Sequence, residues 1–239
     1  MNKRSENRKP NQLRKTKIQK NFTKYAEGSV LISMGNTKVI CTASVEERIP
    51  SFLRDTGKGW VTAEYGMLPR STHDRMSREA KKGKQSGRTQ EISRLIGRAL
   101  RASMNMEKLG ERQIVIDCDV IQADGGTRCA SITGGYVALS LAIQNLLKKK
   151  VITENPIETA VCAISCGIHE GKSVLDLDYN EDSTAEVDMN FVITDGLKLV
   201  EVQGTAEHKA FSFTQLTAMK DHAMKGAKEL FKMQKLVLK

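Results

Sequence analysis

The feature that most constrains this chain is a strand, two glycines and a long apolar helix in direct succession. From residue 113 to 122, Ile114, Ile116, Cys118 and Val120 alternate with Val115, Asp117, Asp119 and Ile121, the period-two pattern of a half-buried strand. Ala123, Asp124, Gly125, Gly126, Thr127 and Arg128 follow. A helix then carries Ile132, Val137, Leu139, Leu141, Ile143, Leu146 and Leu147 and ends in Lys148, Lys149 and Lys150, a basic end that suits the negative pole of the helix dipole. A helix N-terminus presents unpaired N–H groups, and glycine lets the backbone approach a ligand closely, so this junction can cradle an anion. Thr127 would add a hydroxyl and Arg128 a planar five-donor cation. The same spacing describes a plain Gly-Gly turn into a helix, and spacing alone does not separate the two. Neither Gly-x-x-x-x-Gly-Lys nor Gly-x-Gly-x-x-Gly matches the junction. A phosphate bound there would be held by backbone, Thr127 and Arg128.

Charge distribution says more than its sum. The 239 residues hold 38 Lys and Arg against 28 Asp and Glu, a formal charge of +10. Residues 1–24 carry Lys3, Arg4, Arg8, Lys9, Arg14, Lys15, Lys17, Lys20 and Lys24 against Glu6 alone. Residues 69–88 carry Arg70, Arg75, Arg78, Lys81, Lys82, Lys84 and Arg88 against Asp74 and Glu79. Everything else has 22 basic and 25 acidic residues, so the excess sits entirely in two segments. Such clustering is the footprint of a polyanionic partner, nucleic acid above all, although mobile solvated segments that aid solubility share it.

The five cysteines, Cys41, Cys118, Cys129, Cys162 and Cys166, are odd in number and mostly sit in apolar runs. They read as reduced, buried thiols of a cytoplasmic protein. Cys162, Cys166 and His169 do not suggest zinc, because residues four apart on a strand lie about 13 Å apart. A basic N-terminus without an apolar core is no signal peptide, and no apolar run is expected to reach membrane-spanning length.

A chain of this length can bury a real core, as one large domain or two intimate halves. Two hairpins are expected, strands 29–33 and 37–44 around Gly35-Asn36, and strands 185–194 and 197–202 around Asp195-Gly196. One amphipathic helix is expected over 90–104, capped by Thr89, with Ile92, Leu95, Ile96, Ala99 and Leu100 on its apolar face. Another is expected over 215–234, burying Leu216, Met219, Ala223, Ala227 and Leu230. A linker over 151–158 contains Pro156. This gives an α/β chain of the α+β type, in which two related hairpin-plus-helix halves (about 1–150 and 157–239) form mixed sheets packed on helices. Residues 69–87 have few apolar positions and no periodicity, so a mobile basic loop is expected.

Arg88 stands beside the expected start of the 90–104 helix, a second place for an anion. Arg94, Arg98 and Arg101 form a stripe on that helix, open to salt bridges or to solvent. Farther on, an acidic run, Asp176, Asp178, Glu181 and Asp182, leads to Asp188. Asp188 lies between Val187 and Met189 on an apolar strand, where a carboxylate needs a partner. Asp182 and Asp188 could meet if the chain bends, and two hard oxygen donors suit Mg²⁺ rather than zinc.

These residues, taken together, resemble the RNase PH family of phosphate-dependent 3′-exoribonucleases that trim tRNA precursors. The resemblance runs nearly end to end, with its specific stretches at 22–32, 35–43, 87–101, 122–133, 181–190 and 202–205. It implies that Arg88, Gly126, Thr127 and Arg128 bind inorganic phosphate, the co-substrate. It implies that Asp182 and Asp188 act in catalysis and hold a divalent ion such as Mg²⁺. The basic loop, with Arg70, Arg75 and Arg78, matches an RNA-contacting region. The resemblance further implies a homo-hexamer, a trimer of dimers, that shortens tRNA 3′ ends with release of nucleoside diphosphates. The alternative is a catalytically silent RNA-binding ring subunit of an exosome-like assembly; relatives of that kind typically lack some of the residues present here. An enzyme using nucleoside triphosphates is disfavoured by the missing Lys loop. The sequence departs from the family at Arg4, Ser5, Glu6, Asn7 and Arg8, where Asp-Gly-Arg is usual. It also departs at Cys129, where Thr is common, and at Ala206, Glu207, His208, Lys209 and Ala210. The last change bears on subunit contacts rather than on the phosphate and aspartate positions.

Overall fold

The computed structural model describes residues 4–207 and 209–239; Lys3 and His208, both singled out above, lie outside the described residues. The first half contains strands β1 (Thr16–Lys20), β2 (Gly28–Met34), β3 (Thr37–Glu46) and β4 (Trp60–Met67). Helices α1 (Glu79–Lys82), α2 (Gly87–Arg101) and α3 (Met106–Leu109) follow, then β5 (Gln113–Gln122) and α4 (Thr127–Lys148). The second half contains β6 (Val161–His169), β7 (Lys172–Leu175), α5 (Tyr179–Asp182), β8 (Val187–Thr194), β9 (Leu199–Ala206) and α6 (Phe213–Leu238).

The first sheet has the order β1-β2-β3-β5-β4. All its pairs are antiparallel except β4 with β5, which run parallel because α2 lies in the crossover between them. The second sheet, β7-β6-β8-β9, is antiparallel throughout, so the expectation of mixed sheets holds only for the first half. Its strands follow one another through short loops, and α5 intervenes without forcing a parallel return. β9 is an edge strand.

Helix α4 lies between the two sheets, against β2, β3 and β6, with α6 and α2 also on it. It is buried nearly all round, from Cys129 and Ile132 to Ile143 and Leu146, which is why its sequence lacks a polar face. With 22 residues it is long and apolar enough to cross a membrane by length and composition, contrary to the expectation of no such run. Here its apolar residues are spent on the core, which joins side chains from both halves.

Several boundaries move for local reasons. The first hairpin closes through Gly35-Asn36, with Met34 opposite Thr37 and Gly35 at φ +57°, a conformation glycine adopts without strain. In the second hairpin the turn is longer than Asp195-Gly196. Leu197 takes φ +56°, Leu197 N donates to Thr194 O at 2.8 Å, and β9 starts at Leu199 rather than 197. Helix α2 begins at Gly87, three residues before the expected start. Ser86 caps it instead of Thr89, its Oγ accepting from Thr89 N at 3.2 Å. The Thr89 hydroxyl donates to Glu79 Oε1 at 2.8 Å, so Glu79 competes for the group expected to cap. The apolar face of α2 is buried as expected. Residues 69–87 are not without regular structure, since they include α1. Helix α6 runs two residues earlier and four later than expected, opened by a capping box between Ser212 and Gln215. Leu216 is half-buried on it, while Met219, Ala223, Ala227 and Leu230 are fully buried.

Candidate active site

The end of β5 and the start of α4 make a loop whose glycines are demanded by geometry. Gly125 has φ +74° and Gly126 φ +66°. A Cβ on Gly125 would come within 2.6 Å of Leu177 O and 2.7 Å of Asp178 C, and one on Gly126 within 2.9 Å of Arg14 Nη2. The 176–182 segment therefore presses directly on Gly125, and the Arg14 side chain on Gly126. Gly126 is the N-cap residue of α4, and no side chain caps that end, so N–H groups of the first turn stay available. Thr127 is buried, and its hydroxyl shares a 2.9 Å hydrogen bond with the Tyr65 hydroxyl from β4. Burial pushes the Tyr65 phenol up, against the Thr127 hydrogen bond and the charges of Arg88 and Arg128.

A cavity of about 280 Å³ opens at this loop, at the junction of the halves. Arg88, from the first turn of α2, lines it together with Gly126, Thr127 and Arg128. Asp182, the last residue of α5, and Asp188, the second residue of β8, line the same cavity. All six positions singled out in the sequence thus converge, although they come from four separate segments. Arg128 is braced from two sides: Nη1 donates to Gln203 Oε1 on β9 at 2.9 Å and lies 3.7 Å from Glu91 Oε2 on α2. Asn190, one alternation beyond Asp188, also lines the cavity. The Cys129 thiol donates to its Oδ1 at 3.1 Å, so the amide group is oriented. Cys129, at the position where the resemblance leads one to expect Thr, therefore makes a hydrogen bond of its own. Burial pushes the Cys129 thiol far up, which keeps it a thiol.

The two aspartates are the electrostatic anomaly. Burial raises the carboxyl pKa of Asp188 to about 6; the charge of Asp182 adds to this, Arg128 opposes it, and Glu207 and Arg88 contribute less. Burial likewise raises Asp182, against Arg88, Arg128 and Arg14. The two guanidinium groups do not fully compensate the desolvated pair, so the pair would gain from a further cation. Among the described residues, no three or more His, Cys, Asp or Glu side chains are grouped to hold a metal. Two carboxylates suit Mg²⁺, which usually keeps water and substrate oxygens in its remaining positions.

The other predicted contacts distribute differently. Arg78 and Arg88 line an adjoining cavity of about 300 Å³ between β4 and α2. Arg70 and Arg75 are exposed on the loop and line neither cavity. The arginine stripe on α2 splits up: Arg94 is exposed, and Arg98 pairs with Glu201 at 2.8 Å. Arg101 lies over the Trp60 ring at 4.2 Å and donates to Val61 O.

The N-terminal basic cluster is the clearest departure from expectation. Three of its cations face inward. Arg14 is buried; its Nη2 pairs with Asp176 Oδ1 at 2.7 Å, its N–H donates to Asp176 Oδ2 at 2.8 Å, and its Nη1 donates to Asp124 O. Burial opposes the Arg14 charge, but Asp176, with Asp124 and Asp178, holds its pKa above the ordinary value. Arg4 and Arg8 both bond the buried Glu181 carboxylate, at 3.0 and 3.2 Å from their Nη2 atoms. Burial opposes the Glu181 charge too, yet Arg4 and then Arg8 keep its carboxyl low. The segment that departs from Asp-Gly-Arg thus still anchors α5 next to Asp182. Among the described residues of the cluster, Lys9, Lys15, Lys17, Lys20 and Lys24 remain exposed for a polyanion. Sequence reasoning missed Arg14 and Asp176 because nothing local connects them, whereas the alternation of β4 could have pointed to Tyr65.

Two models of the 3′ exoribonuclease family match this chain, domain 1 over residues 12–143 and domain 2 over residues 159–226. Rice (Oryza sativa) Rrp46 superposes with a TM-score of 0.77 at 18% identity, covering 99% of this chain and 100% of that one. The Archaeoglobus fulgidus exosome with RNA bound to the active site gives 0.80 at 18% identity, covering 97% and 92%. An archaeal exosome core gives 0.74 at 18% identity, covering 96% and 90%. Likeness at that identity speaks for the fold, including the pair of sheets around α4.

Proposed function

The chain belongs to the 3′ exoribonuclease family typified by RNase PH, and from that membership we propose that it is an active phosphorolytic enzyme. In this reading it removes nucleotides from the 3′ ends of RNA, tRNA precursors among them. The observation that carries the proposal is the convergence of Arg88, Arg128, the Gly125-Gly126 helix tip and the Asp182–Asp188 pair on one cavity.

An oxygen of inorganic phosphate attacks the phosphorus of the last phosphodiester. A new P–O bond forms, the bond to the 3′ oxygen of the penultimate nucleotide breaks, and a nucleoside diphosphate leaves. The main obstacle is repulsion between a phosphate of about −1.5 charge and a diester of −1. At about 5 Å and an effective dielectric of about 20 this amounts to about 5 kcal/mol. Arg128, held by Gln203 and Glu91, and Arg88, in the first turn of α2, offset it together with the N–H groups of α4. The departing 3′ oxygen needs a proton. In this reading the Asp182–Asp188 pair, ionised when it holds a divalent ion, assists by orienting a water that supplies it. Mg²⁺ held by Asp182 and Asp188 would supply charge neutralisation at the phosphoryl oxygens.

The five unpaired, buried cysteines fit a reducing, cytoplasmic setting. The exposed edge strand β9 fits assembly into a homo-hexameric ring, for which mass in solution is the direct check. The functional test is a tRNA with a short 3′ extension, incubated with and without inorganic phosphate. Shortening that needs phosphate and yields nucleoside diphosphates is expected. Shortening without phosphate would mean a hydrolase, and RNA binding without any shortening would mean a silent ring subunit.

A further inference from the structure

The mouth of the cavity carries an aromatic pair that the phosphate chemistry does not use. Of the four tyrosines, Tyr65 and Tyr136 are buried. Tyr179 instead stands 48% exposed and lines the cavity that holds Arg88, Arg128, Asp182 and Asp188. Its ring meets that of His73, with centroids 5.7 Å apart and planes tilted by 57°. The two residues come from opposite halves, and each is anchored to the same β5–α4 junction. Tyr179 N donates to Asp124 Oδ1 at 3.2 Å. The His73 loop is tied through Ala123 N, which donates to Ser71 O at 2.8 Å, and Thr72 from that loop lines the cavity as well.

We propose that Tyr179, supported by His73, is a stacking platform for the 3′-terminal nucleobase of RNA, a role that rests on the phosphorolysis reading above. Arg88, Arg128, Asp182 and Asp188 suit phosphate and sugar oxygens, and Tyr179 is the one aromatic ring in the cavity lining among the described residues. Its half-exposed face at the rim supplies a partner for a flat base. Stacking is also tolerant of sequence, because every base offers a π face. An enzyme that removes one nucleotide after another meets all four bases at this position, so tolerance is what the reaction needs.

The test compares short oligoribonucleotides that end in an intact or an abasic 3′ residue, with binding read by fluorescence anisotropy. The wild-type chain should prefer the intact end by on the order of tenfold. Tyr179→Ala should bring the two affinities close together, and Tyr179→Trp should keep the preference. Retention in the Trp variant separates stacking from a fold defect. Equal wild-type affinities for the two ends, or a preference that survives Tyr179→Ala, would overturn the platform. If the preference vanishes in Tyr179→Ala but no phosphate-dependent shortening occurs in wild type, the platform stands and the catalytic reading alone fails.

Discussion

Removing the charge of Asp188 should stabilise the protein, by an amount that depends on pH in a calculable way. Its carboxyl pKa rises from the ordinary 3.8 to about 6 in the fold, first through burial and then through the charge of Asp182. The folded state thus binds a proton more tightly than the unfolded chain. Between these two values the folded state is protonated while the unfolded chain is not, so stability falls as pH rises. Above both values the full cost applies, about 3 kcal/mol at about 1.36 kcal/mol per pH unit. At about pH 5 the same relation gives about 1.6 kcal/mol, leaving a change of about 1.4 kcal/mol between about pH 5 and about pH 7.5. Urea unfolding of wild type and Asp188→Asn in metal-free buffer reads it, because titrations other than that of Asp182, which is coupled to Asp188, are largely shared and cancel in the difference. The advantage of the Asn variant should grow by about 1.4 kcal/mol across that window. A flat difference, or one that shrinks, would refute the desolvated pair as described. Added Mg²⁺ should raise wild-type stability at about pH 7.5 and leave Asp188→Asn nearly unmoved; no effect on wild type would count against metal binding by the pair.

Four further outcomes are expected. Arg14→Met should cost about 3–5 kcal/mol, because the Asp176 charge is then left buried and unpaired; changing Asp176 to Asn in the same background should recover part of that in urea unfolding. Gly126→Ala should destabilise by about 1–2 kcal/mol, since alanine must adopt a left-handed conformation within 2.9 Å of Arg14 Nη2, and phosphate KM should rise with it. Arg128→Lys should lower kcat/KM for phosphate at least about tenfold, since an ammonium cannot reproduce a planar fork held by Gln203; a near-normal value would reject the assigned role. Tyr65→Phe should cost about 1 kcal/mol by removing the buried bond to Thr127, a loss that thermal unfolding would detect.

Much of this fold is readable along the chain wherever a single period governs. The alternation in β5 and the apolar faces of α2 and α6 all reflect local backbone geometry, which repeats every two or about 3.6 residues. So do the glycines at the anion loop, since a positive φ is a property of one residue. Element ends were less legible. Ser86 rather than Thr89 caps α2 because Glu79, ten residues before Thr89, takes the Thr89 hydroxyl, a choice that no propensity encodes. The charge runs misled in one respect: Arg4, Arg8 and Arg14 belong to a basic cluster by composition and to internal ion pairs by structure.

On its own, then, the sequence singled out two arginines, a glycine-opened helix and two aspartates, partly by local pattern and partly by resemblance to a family. Only the tertiary structure decided that they share one cavity. It also decided that Arg14 and Asp176, 162 positions apart, lock the loop between them. The reason is physical: a conformation is set within a few residues, whereas a charge finds its partner only where the packing of two sheets around α4 brings distant segments together.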